Sequence, residues 1–442
     1  MADKHNIVVV GAGIAGLTLC CRLCDAGYSP VLVEKEGRVG GLARSFTYDD
    51  GYTFDIGPHR FYTEVPEVLS FIRGVLGDDV LTMGRKSAVR MFDRYFDWPL
   101  ERSALFRMPP KIFLAAGIDL LRGEKLNGES FEEYIRTAYG KTLYEIFFKP
   151  YTEKFLGLPC DRISRDWAVT GIDRAVIDNS IKVNNLLSLA RSVLSPRPPL
   201  DFIYPASGGI GVFADKMAAM IGTRGGTLLL DTTVTAVRTD GGRVVAVRAG
   251  ERELPCDLLV WSAPLPLLSP LLGLDPPDLE YLSMVLYNYT VERAIDPGYQ
   301  WCYFGADDVP FNRVSFPAMF NPLLSPPGGT GICVEVTCRR GDRLWQEPAD
   351  RDDTIRRAMV ANGIIGAADR ISACHIERVG DAYPVYALDY ADRLSAAMAE
   401  LERFRGLELV GRTGGFWYNN MDHSIEAALA LAGKIVTGGG DR

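Results

Sequence analysis

Three glycines spaced Gly11-x-Gly13-x-x-Gly16 follow the apolar run NIVVV (residues 6 to 10) and precede the helix-like run LTLCCRLCDAG. Glycines at this spacing can cradle a dinucleotide. Gly11 permits a tight turn, Gly13 lets the backbone approach a pyrophosphate, and Gly16 lets the helix pack closely on the strand. The N–H groups and partial positive charge at the helix N-terminus favour phosphate. Glu34 ends the next strand-like run, PVLVEK, where a carboxylate can accept hydrogen bonds from ribose hydroxyls. The whole stretch has the length of one βαβ unit, about 30 residues.

Such a site needs a sheet to hold it. NIVVV and CDLLVWSAP (residues 256 to 264) are apolar without polar alternation, as buried parallel strands are. A chain of 442 residues, 47% hydrophobic, implies two or three domains. The expected fold class is α/β: a doubly wound (Rossmann-type) dinucleotide-binding domain with a helical insertion and a second, sheet-containing substrate domain. Residues 1–62, 201–262 and 401–442 are assigned to the first, 63–200 to the insertion and 263–400 to the substrate domain. Asp240-Gly241-Gly242 marks a hairpin. The run KIFLAAGIDLL, Lys111 to Leu121, fits a membrane-surface helix, but a buried helix is the expectation.

Composition excludes several classes. A formal net charge of −8 gives no general attraction to nucleic acid. No run reaches the roughly 18 apolar residues of a spanning helix. No signal peptide is evident, so the cytoplasm is the expected compartment. Cys20, Cys21 and Cys24 lie on the helix after the glycine turn and read as packing residues. None of the histidines, His5, His59, His375 and His423, stands at zinc-ligand spacing from another, so no metal is expected.

Glu34-Lys-Glu-Gly-Arg38-Val-Gly40-Gly41-Leu-Ala-Arg44 resembles the cofactor loop of FAD enzymes of the amine oxidase, protoporphyrinogen oxidase and UDP-galactopyranose mutase superfamily. Gly40 and Gly41 would let the loop pass the pyrophosphate while Arg38 and Arg44 offset its charge. The resemblance implies FAD, held non-covalently, with Val234 of TTVTAV at the adenine. It also places Arg412, Gly414, Gly415 and Met421, in GRTGGFWYNNM, near the flavin.

Further segments resemble the mutase branch. DIGPHRFYT is similar to the mutase loop that carries a flavin-facing histidine, here His59. YTEKFLG would bring Tyr151 and Thr152 to the substrate cleft, PFNRV Arg313 to a diphosphate, and AYPVY Tyr383 to a phosphate. Tyr418 and Asn420 fall in the last motif. The resemblance implies His59, Arg313, Tyr383 and Tyr418 as catalytic, with Tyr151, Thr152, Arg313, Tyr383 and Asn420 binding substrate. Leu156 replaces a family tryptophan, and Arg174 is slightly out of register for a second diphosphate contact. Two activities follow. One is a pyranose/furanose mutase acting on a phosphate- or nucleotide-linked sugar with flavin N5 as the reactive centre. The other is an FAD-dependent oxidase or dehydrogenase acting on a small molecule. NAD(P)H is the candidate external reductant.

Overall fold

The computed structural model describes residues 6–98, 107–172 and 201–438. A five-stranded parallel sheet runs in the order Leu407–Leu409, Leu258–Trp261, Ile7–Val10, Val31–Val33, Thr227–Leu229. Its centre, Ile7–Val10, is buried along its whole length, which explains four consecutive apolar residues. Ile7 and Val9 join the cluster made by helices Ile14–Asp25, Gly211–Thr223 and Met421–Val436. Val8 and Val10 face the opposite side, in a cluster with the three-stranded sheet Val234–Asp240, Arg243–Ala249, Arg252–Pro255. The first two strands of that sheet turn at Gly241 and Gly242, both at positive φ. Cys20, Cys21 and Cys24 are buried, and burial pushes the Cys21 thiol up to about 12, so these are packing groups and not reactive thiols.

The second layer is a seven-stranded sheet, ordered Ile371–Pro384, Tyr281–Val291, Thr330–Cys338, Arg313–Ser315, Trp301–Phe304, Ser87–Met91, Arg94–Asp97. Its last two strands lie within the stretch expected to be helical. They form a hairpin that turns on Phe92 and Asp93, with φ of 51 and 55. Non-glycine residues are uncommon there, so the usual Asn-Gly or Asp-Gly signal is absent. Asp201–Tyr204 likewise leaves the parallel sheet and pairs with Leu81–Gly84.

Helix Phe131–Tyr139 is started by a Ser130/Glu133 capping box and ended at Gly140, φ +83. A wide π-type turn, Tyr144–Phe148, then precedes Lys149–Leu156. It comes just before Pro150, whose missing N–H and bulky ring disturb the normal helical hydrogen bonds. Helix Pro110–Arg122 departs from the buried helix expected there: Phe113, Leu114, Ile118 and Leu121 are exposed. Its less exposed side carries Ile112, Ala115, Ala116 and Asp119. Arg174 and the Pro-rich SPRPPL segment lie outside the described residues. Among the described residues no helix is long and apolar enough to cross a membrane.

Candidate active site

A cavity of about 580 Å³ opens over the N-terminus of helix Ile14–Asp25. Gly11 turns the chain at φ +101, and a Cβ on Gly16 would lie 2.1 Å from the Gly11 carbonyl oxygen, so helix and strand touch there. A Cβ on Gly13 would meet nothing within 4 Å, leaving the space in front of the turn open. The second glycine loop closes onto the first. Gly40 (φ +104) donates its N–H to the Ala12 carbonyl at 2.8 Å, and a Cβ on Gly41 would sit 3.1 Å from the Gly13 Cα.

Glu34 is nearly buried and is aimed by backbone amides. Its carboxylate accepts from Ala12 N at 2.7 Å and from Glu36 N at 3.0 Å. It lines the cavity, as do Arg44, His59, Val234, Arg412, Asn420 and Met421. Arg44 Nε and His59 Nδ1 are buried with no hydrogen-bond partner among the described residues. An open phosphate turn, an oriented ribose acceptor and two unsatisfied nitrogens suit a dinucleotide that carries a flavin.

Three expected cofactor residues act at one remove. Arg38 does not line the cavity; its guanidinium lies 5.7 Å from the Phe46 ring. Gly414 and Gly415 also stand outside the lining. A Cβ on Gly414 would fall 2.5 Å from the Trp261 carbonyl, so this glycine lets the last turn close on the sheet. Ser262 and Ala263, unforeseen lining residues, follow the buried strand Leu258–Trp261. The end of a parallel strand is where ligands of such sheets sit, and that was their available signal.

The loop after strand Thr53–Asp55 brings His59 to the cavity. Buried Asp55 anchors the loop, accepting from Ser45 Oγ at 2.6 Å, Ile210 N at 3.0 Å and the Tyr204 hydroxyl. Burial outweighs these donors and pushes its carboxyl up to about 6. Burial, and then the charges of Arg412, Arg313 and Arg60, push His59 down to about 3. His59 is therefore neutral at ordinary pH. Arg412 donates to the Asn419 and Ala382 carbonyls, with its guanidinium 5.5 Å from the Tyr383 ring and 5.3 Å from the Tyr418 ring. Trp167 stacks on Tyr418 at 4.8 Å. Tyr151 meets Tyr303 edge-on at 5.7 Å, and neighbouring Thr152 is buried. The structure thus gathers His59, Arg313, Arg412, Tyr151, Tyr383 and Tyr418 in one neighbourhood. Asn420 is the N-cap of helix Met421–Val436 and lines the cavity.

Arg313 is not poised as its expected role requires. Its Nε and Nη2 donate to the two oxygens of Glu335 at 2.6 and 2.5 Å, in a pair whose carboxylate side is only 4% exposed. The two residues stand directly opposite on antiparallel strands Arg313–Ser315 and Thr330–Cys338, so the register imposes the pairing. Glu335, the lone charge inside GICVEVTC, was its own signal. Arg60 was overlooked in the motif that supplied His59. Its guanidinium stands beside the stacked rings of Phe202 and Trp301, 5.1 and 5.2 Å from their centroids.

The model of flavin-containing amine oxidoreductases matches residues 14–292, from the first glycine turn to the end of the long strand of the second sheet. The chain belongs to that family, and the family implies FAD. A probable UDP-galactopyranose mutase of Klebsiella pneumoniae is 26% identical over 166 residues, which span 35% of this family member and 42% of that relative. A phytoene dehydrogenase of Streptomyces griseus is 23% identical over 398 residues, 79% and 77% of the two chains. Among solved structures, a reduced UDP-galactopyranose mutase superposes with a TM-score of 0.85 at 21% identity, covering 98% of this flavoprotein and 94% of the other. A putrescine oxidase bound to putrescine gives 0.64 at 16%, with 98% and 99% covered. Both likenesses are of fold. Mutases and oxidoreductases share this framework, so the reaction must be argued from the side chains.

Proposed function

We propose that this flavoprotein is an isomerase of the pyranose/furanose mutase type, acting on a phosphate- or nucleotide-linked sugar beside a non-covalently held FAD. The observation that supports it most is the charge around His59. Three guanidiniums, Arg60, Arg313 and Arg412, act on one half-buried neutral imidazole, and among the described residues only Arg313 has a carboxylate hydrogen-bonded to it. Unbalanced cations beside a cofactor cavity favour an anionic substrate and oppose an ammonium one.

FAD bound here supplies a reactive N5, and NAD(P)H is the proposed source of its electrons. The residues do the rest. Gly13 and Arg44 receive the pyrophosphate and Glu34 receives the ribose. Neutral His59 offers a ring nitrogen for a hydrogen bond without adding charge. The hydroxyls of Tyr151, Tyr383 and Tyr418 orient sugar and phosphate oxygens. The aromatic wall of Phe155, Trp167 and Tyr418 excludes water. An anaerobic screen of nucleotide sugars tests the proposal: the dithionite-reduced enzyme should interconvert ring forms and the oxidised enzyme should not.

The second reading, an oxidoreductase, draws on the phytoene dehydrogenase relative, matched over most of both chains. An uncharged small molecule that bleaches the oxidised flavin, with no ring interconversion in the screen, would decide for it.

A further inference from the structure

We infer that Arg60, not Arg313, is the side chain that takes the substrate's oxyanion. This inference rests on the proposed anionic substrate and names the group that recognises it. Arg313 has two of its donors committed to Glu335. Arg412 is committed to the carbonyls of Asn419 and Ala382. Arg60 differs. Its Nη1 makes one long contact, 3.4 Å, to the Pro58 carbonyl, and its Nε is buried without a partner among the described residues. No carboxylate within those residues forms an ion pair with it; Asp422 acts on it through its charge alone. Its guanidinium packs beside the stacked Phe202 and Trp301 rings, which restricts it before a ligand binds. A guanidinium packed against aromatic rings next to His59, with donors left over, fits a phosphate or carboxylate oxygen.

The test uses FAD-loaded wild type, Arg60→Met, Arg60→Lys and Arg313→Met, each titrated with UDP and with inorganic pyrophosphate while the flavin spectrum is followed. Methionine keeps an unbranched apolar stem beside the rings, so FAD content and thermal midpoint should hold. Arg60→Met should weaken UDP at least about 30-fold, the low end for removing one partner of a desolvated charge contact. Arg60→Lys should restore part of that loss. If wild type and Arg60→Met bind UDP equally, the inference falls and the sugar-phosphate reading stands. If wild type binds pyrophosphate through Arg60 but not UDP, the inference stands and the nucleotide reading falls. Binding of neither anion overturns both.

A separate observation carries a second proposal: helix Pro110–Arg122 docks on an anionic lipid bilayer. Leu114 and Leu121 are 64% and 73% exposed, and Phe113 and Ile118 lie with them on one stripe at ~100° per residue. Lys111 and Arg122 stand at the edge of that stripe, with Lys125 just beyond the helix, all exposed. The nearby acids are turned to internal partners, Asp119 accepting from Thr142 N at 2.6 Å and Glu124 from Arg136 Nη2 at 2.5 Å. Apolar residues rimmed by cations match lipid tails beneath anionic headgroups. The FAD-loaded enzyme should co-sediment with phosphatidylglycerol/phosphatidylcholine vesicles, less so in high salt. Leu114→Glu with Leu121→Glu should abolish this at unchanged flavin absorbance. Wild type that stays in the supernatant overturns the proposal. So does a double variant that sediments equally, or one that dissociates a dimer when wild type ignores vesicles.

Discussion

Replacing Arg313 with methionine should unfold the protein more readily before it reveals anything about substrate. The substitution keeps the stem and removes the guanidinium, leaving Glu335 as a carboxylate 4% exposed, with Cys333 and the Gly57 loop packed nearby. An exposed ion pair contributes about 0–1 kcal/mol, whereas breaking a buried one by removing a single partner costs about 3–5 kcal/mol. The burial of Glu335 puts this pair in the second class. Against a total stability of roughly 5–15 kcal/mol, the loss should be plain in urea unfolding followed by flavin release and tryptophan fluorescence. Adding Glu335→Gln should recover much of it, because the uncompensated charge disappears. An Arg313→Met protein that unfolds within about 1 kcal/mol of wild type would refute the reasoning. It would mean that the guanidinium does not hold Glu335 in solution.

The two shifted groups of the flavin loop give pH dependences of opposite sign. His59, held near 3, refuses a proton that the unfolded chain takes up below about 6.5, so stability should fall as pH drops through that window. The slope contributed is at most ~1.4 kcal/mol per pH unit, and His59→Gln should flatten it. Asp55, raised to about 6, has stability present at low pH that is lost as pH rises from about 4 to 6. Asp55→Asn should remove that limb, as read from unfolding midpoints across the window. Gly16→Ala should purify without yellow colour, since its Cβ would lie 2.1 Å from a backbone oxygen, and Gly13→Val should do the same by filling the open phosphate space. A normal flavin-to-protein absorbance ratio in either would contradict this account of the turn.

The cofactor half of the site was legible because its physics is local. A glycine that must turn, one that must leave room and one that must let a helix touch a strand fall within six consecutive positions, and Glu34 follows at the end of the adjacent strand. The substrate half depends on register between distant segments. Nothing near Arg313 in the chain tells that Glu335 will stand opposite it. Arg60 was hidden by the reverse problem: it sat beside His59, but its meaning depends on Phe202 and Trp301, far along the sequence. The Phe92–Asp93 hairpin was missed because two non-glycine residues take up a left-handed turn. Helix Pro110–Arg122 was misjudged because periodicity shows that one face is apolar without showing which way it points.

A crystal structure of the enzyme with FAD and UDP would show both ligands against these residues. The pyrophosphate of FAD should lie over Gly13 and beside Arg44, the flavin ring beside His59, and a UDP phosphate oxygen within hydrogen-bond distance of Arg60. UDP held away from the His59 loop, or a flavin ring that leaves Arg60 on the far side of the protein from it, would contradict this placement.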